Sequence, residues 1–346
     1  MKILIVKLSS LGDVLHNLPV IWDLRAKYPN AQIDWVIEEG FAGLLAPLMT
    51  RNSNGDTFKG VDRVIPFALR RWKKSLKQGE FIRSIQEFIT FKKDLQTTSY
   101  DLVIDTQGLI KSAVLAQLAR LTPTGRIVGP ANKTQYSGFE PLTRYFYTET
   151  VQVPMHLHAV ERARWVTAAA IDVPAPKEGI DGPRFYPDSY VAHLAAQASP
   201  LLDEMAIQRP YVLFLHSTSR ADKRWPHASW VAIGERLMAK GMAVILPWGS
   251  PAEKTISEAL AKDMPGAIVP RDFAIHEIYA LIAGAHQIIG VDTGLVHVAA
   301  AFGKPTIEIY CNSWKANAAG YWSPQIHNLG DMGQTPTVEE VMNCIL

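Results

Sequence analysis

KILIVKLSSLGD, residues 2–13, and YVLFLHSTSRADKRW, residues 211–225, decide the fold. Each is a short apolar run that reads as a strand, followed by a hydroxyl-rich loop and then a helical stretch. The second half of the chain thus restarts as the first began. At roughly 150 residues per domain, 346 residues make about two domains. The expectation is an α/β protein of two Rossmann-like lobes.

Working outward, further strand-like runs lie at Ile33–Ile37, Leu102–Ile104, Ala243–Leu246, Ile288–Val291 and Thr306–Ile309. Helical stretches are expected at Phe81–Leu95, Ala159–Ala170, Trp230–Ala239, Glu253–Leu260 and Leu295–Phe302. This alternation belongs to parallel sheets covered by helices. The aperiodic stretch Asp172–Pro187, with Pro174, Pro176, Pro183 and Pro187, marks the boundary. The lobes are placed at residues 1–175 and 176–334, with a final helix over 335–346.

Hydrophobic residues at 48% and charged residues at 20% supply two cores and exclude a disordered chain. The 35 Lys and Arg nearly cancel the 33 Asp and Glu, so no nucleic-acid partner is expected. Cys311 and Cys344 are too few for a disulfide framework and form no C-x-x-C pair for zinc. The run Ile3–Val6 is too short for a signal peptide, and no stretch of about 18 apolar residues occurs. A cytoplasmic protein without a transmembrane segment is expected.

In open α/β sheets, ligands bind beyond the carboxyl ends of the strands. Three such loops carry suggestive residues. In Ser9-Ser10-Leu11-Gly12-Asp13, Gly12 lets the backbone approach a ligand closely. Asp13 would open the next helix, whose N-terminus favours an ionised carboxylate able to take a proton; it also reads as a plain helix cap. The loop from His216 to Trp225 offers hydroxyls and cations that suit phosphate oxygens, with Lys223 as a compact charge; a solvated charged loop has the same composition. In Gly290-Val291-Asp292-Thr293-Gly294-Leu295-Val296-His297, the N–H groups of Thr293, Gly294 and Leu295 would face an anion. Asp292 suits orienting that loop as well as touching substrate. Asp-Thr-Gly is also the aspartic-protease triplet, but that chemistry needs two and one is present.

No G-x-G-x-x-G follows the first strand and no G-x-x-x-x-G-K-[ST] occurs, so dinucleotide and P-loop fingerprints are missing. No D-x-D occurs, which removes a common metal–diphosphate ligand pair. His156, His158 and Glu161 read better as scattered side chains than as a metal site. Arg70-Arg71-Trp72-Lys73-Lys74-Ser75-Leu76-Lys77 carries five cations and no acid. It reads either as a solvated helix face or as a seat for a multiply anionic, lipid-linked substrate. A nucleic-acid patch would need more stacking aromatics than Trp72.

Seven segments together resemble the ADP-heptose:lipopolysaccharide heptosyltransferases, in particular the branch that adds the first heptose. They are VKLSSLGDVLHNLP (6–19), IDWVIEEGF (33–41), VIPFALRRWKK (64–74), DTQGLIKSA (105–113), FLHSTSRADKRWP (214–226), LPWGSPAEK (246–254) and VDTGLVH (291–297). The resemblance implies a GT-B fold, two Rossmann-like lobes facing a central cleft, with the acceptor in the first lobe and the nucleotide sugar in the second. In such folds the C-terminal tail often packs back on the first lobe. The implied reaction moves heptose from ADP-L-glycero-β-D-manno-heptose to the Kdo of Kdo2-lipid A. It inverts the anomeric centre, with no cofactor and no metal, on the cytoplasmic face of the inner membrane.

Carried over by position, Asp13 matches the general base, with Ser10 and Gly12 beside it on the acceptor side. Lys223 matches the lysine on the diphosphate, with Thr218 and Ser219 next to it. Ser219 stands where close relatives carry threonine and keeps the hydroxyl. Glu253 matches a ribose-contacting glutamate, and Phe273 falls near an adenine contact. Asp292, Thr293, Gly294, Leu295 and His297 match the donor loop. Arg70, Arg71, Lys73 and Lys74 match a segment meeting lipid A phosphates and Kdo carboxylates. Lys223, its flanking arginines and a helix N-terminus would offset leaving-group charge in place of Mg²⁺. Two other readings stand beside this one. One is transfer of the second core heptose, separated by acceptor choice. The other is a two-lobed protein that binds a nucleotide sugar without chemistry, separated by turnover.

Overall fold

The structure, a computed structural model, describes residues 1–49, 59–177, 182–208, 210–218 and 220–346. The chain divides into two compact units, Met1–Arg184 and Phe185–Leu346. The division falls beyond the expected residue 175: the Arg184 guanidinium lies 4.3 Å over the Trp22 ring of the first unit, while Phe185 packs on Trp322 and Tyr186 on Phe302 inside the second.

The first unit holds six parallel strands: β1 (Lys2–Val6), β2 (Gln32–Glu38), β3 (Arg63–Phe67), β4 (Ser99–Asp105), β5 (Arg120–Pro130) and β6 (Glu149–Val151). Their order is β3-β2-β1-β4-β5-β6. β1 lies at the centre, with Ile3 to Val6 fully buried, as a parallel strand covered on both faces requires. The second unit holds β7 (Tyr211–Leu215), β8 (Ala243–Ile245), β9 (Gln287–Val291), β10 (Thr306–Tyr310) and β11 (Ile326–Gly330), all parallel, in the order β11-β10-β9-β7-β8. Each sheet has helices around it, so both units are Rossmann-like, as expected.

The apolar runs expected to be strands are β1, β2, β4, β7, β8, β9 and β10. The strands not anticipated are β3, β5, β6 and β11. Three of these are sheet edges, where one side lacks a neighbour and the apolar pattern weakens. β5 is polar at its start and shifts register against β4 between Tyr100 and Leu102.

The tail corrects an expectation. Only Val338–Met342 is helical, and Val341 is buried in the second core with Trp230, Ile289 and Ile307. Trp225 Nε1 donates to the Pro336 carbonyl at 2.8 Å, and Gln287 Nε2 to that of Cys344 at 3.0 Å. The tail thus adds to the core of the second unit.

This topology locates the sites. Strand order reverses between β1 and β4 in the first sheet and between β7 and β9 in the second. The loops leaving those strands diverge and open a crevice at each point.

Candidate functional site

In the first unit, the crevice is lined by the loops after β1 and β4. Gln107 Oε1 accepts from the Leu8 N–H at 2.8 Å, and Lys7 Nζ reaches the Thr106 carbonyl at 3.5 Å, tying the loops together. The helix Leu11–Asn17 follows, with Ser10 as its N-cap. Asp13 is therefore not the cap but the third helical residue. Its Oδ2 accepts from the Ser10 N–H at 2.9 Å and the Ser10 hydroxyl at 2.6 Å. Oδ1 makes no hydrogen bond among the described residues, which leaves it for a ligand. Gly12 sits beside it, half-buried, in the first turn.

Burial works against the Asp13 charge, but Lys7, the Ser10 hydrogen bonds and Arg162 outweigh it and hold the carboxyl below the usual carboxylate range. The two cations bear the reverse cost. Burial pushes the Lys7 ammonium down despite Asp13, and moves Arg162 down to about 10. Asp13 is thus an ionised carboxylate with Oδ2 fixed by Ser10 and Oδ1 without a hydrogen bond among the described residues. Lys7 and Arg162 were missed in the sequence: a lysine after a strand looks solvated, and Arg162 arrives from a helix 149 residues downstream.

In the second unit, a small residue makes room for the site. A Cβ on Gly290 would lie 2.9 Å from Leu215 Cβ and 3.0 Å from Val296 Cγ2, so only glycine lets the helix Gly294–Ala301 start this close to β9. Asp292 lies between strand and helix. Its Oδ2 accepts from Lys223 Nζ at 2.6 Å and its Oδ1 faces His297 Nε2 at 3.1 Å. His297 Nδ1 lies 3.7 Å from Glu308 Oε1. Glu308 is fully buried and accepts from the Tyr310 hydroxyl at 2.6 Å. Thr218 Oγ1 donates to the Asp292 carbonyl at 3.3 Å. Ser219 lies outside the described residues.

Burial disfavours both charges of the central pair, yet the partners win. His297 and Lys223 hold the Asp292 carboxyl far below the usual range, and Asp292 and Glu308 push His297 up to about 10. Asp292 is thereby a positioning residue that fixes Lys223. Glu308 was missed because a lone glutamate inside TIEIY has no sequence signal.

A pH dependence of stability follows. A group whose pKa rises on folding stabilises fully below its unfolded value of about 6.5 and loses that stabilisation as pH climbs through its folded value. For His297 the loss runs up to about pH 10. Urea midpoints should fall more between pH 7 and pH 10.5 in the wild type than in His297→Gln. Parallel curves would show that the imidazolium–Asp292 pair is not formed.

Beside this network lies a cavity of about 310 Å³, within the range of small-molecule sites. Its lining includes His216, Trp248, Glu253, Phe273, Thr293 and Leu295. Trp248 is pinned by its indole N–H on the Pro270 carbonyl at 2.8 Å, and the Arg271 guanidinium stacks 4.4 Å over the Phe273 ring. Glu253 Oε2 accepts from the Gly249 N–H at 2.8 Å, while Oε1 makes no hydrogen bond among the described residues. Trp248 was overlooked although Pro-Trp-Gly follows β8, where the strand-end rule applies.

Other expected cations are less free than they look in sequence. Arg220 pairs with Asp222, which Asn312 also contacts at 2.6 Å. Arg224 is exposed and has no acidic partner among the described residues. Arg70 lies 2.5 Å from Glu38, and Arg71 pairs with Glu39 and Glu87. Trp72 is a core residue. Of the four cations assigned there, Lys73 and Lys74 are exposed and unpaired among the described residues. His158 caps the helix Ala159–Ala170 and His156 faces Gln135.

Comparison with known proteins bears on this geometry. Residues 88–345 match the model of glycosyltransferase family 9 (heptosyltransferase). The chain is similar to lipopolysaccharide heptosyltransferase 1 of Pseudomonas aeruginosa, 36% identical over 98% of this chain and 87% of that one. It also resembles two solved structures. One is E. coli heptosyltransferase WaaC with ADP, with a TM-score of 0.79, 31% identity, and 99% and 98% of the two chains covered. The other is the same enzyme with ADP-2-deoxy-2-fluoro heptose, with a TM-score of 0.74, 32% identity and the same coverage.

Proposed function

The chain belongs to glycosyltransferase family 9, and from that premise we propose that it transfers L-glycero-D-manno-heptose from ADP-heptose to the Kdo of Kdo2-lipid A, with inversion and without a metal. The observation that carries this reading is the adjacency, within one GT-B lobe, of an aromatic-lined cavity and a lysine held on Asp292 where a helix begins. A nucleotide sugar needs both: a seat for the base and fixed positive charge for the diphosphate.

In this reading adenine enters beside Phe273 and Trp248, and Glu253 Oε1 accepts from a ribose hydroxyl. Lys223, Arg224 and the N–H groups of Thr293, Gly294 and Leu295 meet the diphosphate, with Thr218 beside them. Asp13 Oδ1 takes the proton of the Kdo hydroxyl as its oxygen attacks the anomeric carbon. The bond from that carbon to the phosphate oxygen breaks on the opposite face, and ADP leaves with the electron pair. Leaving-group charge is met by groups already in place, which costs no reorganisation in the transition state. Ser10 holds the base, Gly12 admits the acceptor, and Lys73 and Lys74 meet acceptor phosphates and carboxylates at the cytoplasmic face of the inner membrane. Arg70 and Arg71 act more weakly, because they already serve glutamates.

The donor half is tested by ADP calorimetry. Phe273→Ala should weaken ADP binding by about 1–3 kcal/mol, the usual worth of an aromatic stacked on a base. Unchanged affinity would remove the nucleotide from this cavity.

A further inference from the structure

The helices Leu69–Lys77 and Phe81–Leu95 form a hairpin in the first unit, joined through Gly79, whose φ of +85° closes the first of them. The inner face is accounted for: Trp72, Phe91 and Leu95 are buried in the first core. The outer face is apolar too. Phe81, Ile82, Ile85 and Ile89 are 58%, 75%, 56% and 45% exposed, with Phe88 and Leu76 partly exposed beside them. At 3.6 residues per turn, positions 81, 82, 85, 88 and 89 share one stripe. Lys92 continues that stripe and Lys93 borders it. Six of the fifteen exposed large apolar side chains found among the described residues lie in this hairpin, so the exposure is a patch and not scatter.

The charges beside the patch identify what covers it. Residues 69–95 hold eight cations and three acids. Each acid is already engaged: Glu80 with Arg83, Glu87 with Arg71, Arg83 and the Trp72 indole, and Asp94 with Arg63. Lys73, Lys74, Lys77, Lys92 and Lys93 are exposed and pair with no acid among the described residues. An apolar stripe whose unpaired charges, among the described residues, are lysines complements a surface that is apolar inside and anionic at its boundary. A second copy of this chain would bring the same lysines against these.

We propose that this hairpin is the face by which the protein docks on a bilayer of anionic phospholipid, with Phe81, Ile82, Ile85 and Ile89 entering the acyl boundary and the lysines meeting headgroup phosphates. The proposal deepens the acceptor reading above by naming the surface that brings the enzyme to its lipid substrate. Its test needs no turnover, so the two can fail separately.

The full chain is sedimented with vesicles of phosphatidylethanolamine and phosphatidylglycerol, and with vesicles of phosphatidylcholine alone, neither holding any glycolipid acceptor. Binding is expected on the anionic vesicles and should fall with salt. Ile82→Glu with Ile85→Glu should lower the partition coefficient at least about tenfold, since each isoleucine loses its apolar burial. Lys77→Gln, Lys92→Gln and Lys93→Gln should each cost roughly fivefold and together flatten the salt response. ADP affinity, which reads the second unit, should stay at the wild-type value in all of them, and an unchanged urea midpoint of the first unit shows that the altered unit folds. Absence of wild-type binding, or equal binding to both vesicle types, would overturn the proposal. So would a wild-type dimer in sedimentation velocity that Ile82→Glu dissociates, which would give the face to a second copy.

Discussion

Asp13→Ala should lower kcat by about 10²–10⁴-fold, the range for loss of a general base, with ADP affinity unchanged. The geometry makes the expectation specific. Both Ser10 hydrogen bonds fall on Oδ2, so the reacting oxygen is Oδ1, and Asp13→Asn should fail nearly as badly while keeping the helix cap. The pH profile has a sign as well. Lys7, the Ser10 bonds and Arg162 overcome burial and lower the carboxyl pKa, so the acidic limb of kcat/KM should lie below the ordinary carboxylate value. Lys7→Met removes one of those cations and should move that limb upward. Near-normal kcat in a folded Asp13→Ala enzyme would reduce Asp13 to a capping residue.

The second large effect is expected at Lys223. Lys223→Ala should cost about 10²–10³-fold in kcat, as removal of one preorganised electrostatic donor commonly does. The neighbouring cations cannot stand in fully: Arg220 is held by Asp222, and His297 is turned toward Asp292 and Glu308. Asp292→Asn should give part of the same loss with Lys223 intact, because the carboxylate that fixes the ammonium is gone. Chelator should leave the wild-type rate unchanged. A chemical step that stops in chelator and returns with Mg²⁺ would contradict the role given to Lys223.

What was legible in the sequence follows from how local the cause is. Central parallel strands are apolar on both faces and announce themselves, as in KILIV and YVLFL. The helices Phe81–Leu95 and Ala159–Ala170 are bounded in the structure as the sequence reading placed them. Edge strands such as Glu149–Val151 carry no such pattern, and the tail is helical only over Val338–Met342, where Val341 enters a core drawn from distant segments. The site divides the same way. Asp13 and the loop Asp292–Gly294 were found because strand ends in this architecture face ligands. The partners that set their charge carry no motif: Lys7 lies near Asp13 in sequence and Glu308 near His297 but neither looks special there, and Arg162 and Lys223 come from far along the chain. The ion pairs of Arg70 with Glu38, and of Arg71 with Glu39 and Glu87, were invisible in the basic run for the same reason, since those glutamates come from other elements.

The outer face of Phe81–Leu95 is the converse case. Its alternation of apolar and charged residues reads as an ordinary amphipathic helix, and the structure shows apolar residues on two sides of it. Composition alone does not distinguish a stripe that packs from one that stays bare.

The measurement that bears most directly on the account is ADP release from ADP-heptose with Kdo2-lipid A as acceptor, run beside the same acceptor already carrying one heptose. Rapid, acceptor-dependent release is expected with unmodified Kdo2-lipid A, with one heptose added per acceptor, and none above background with the heptosylated acceptor. Release only with the heptosylated acceptor, or binding of ADP-heptose without release on either, would contradict it.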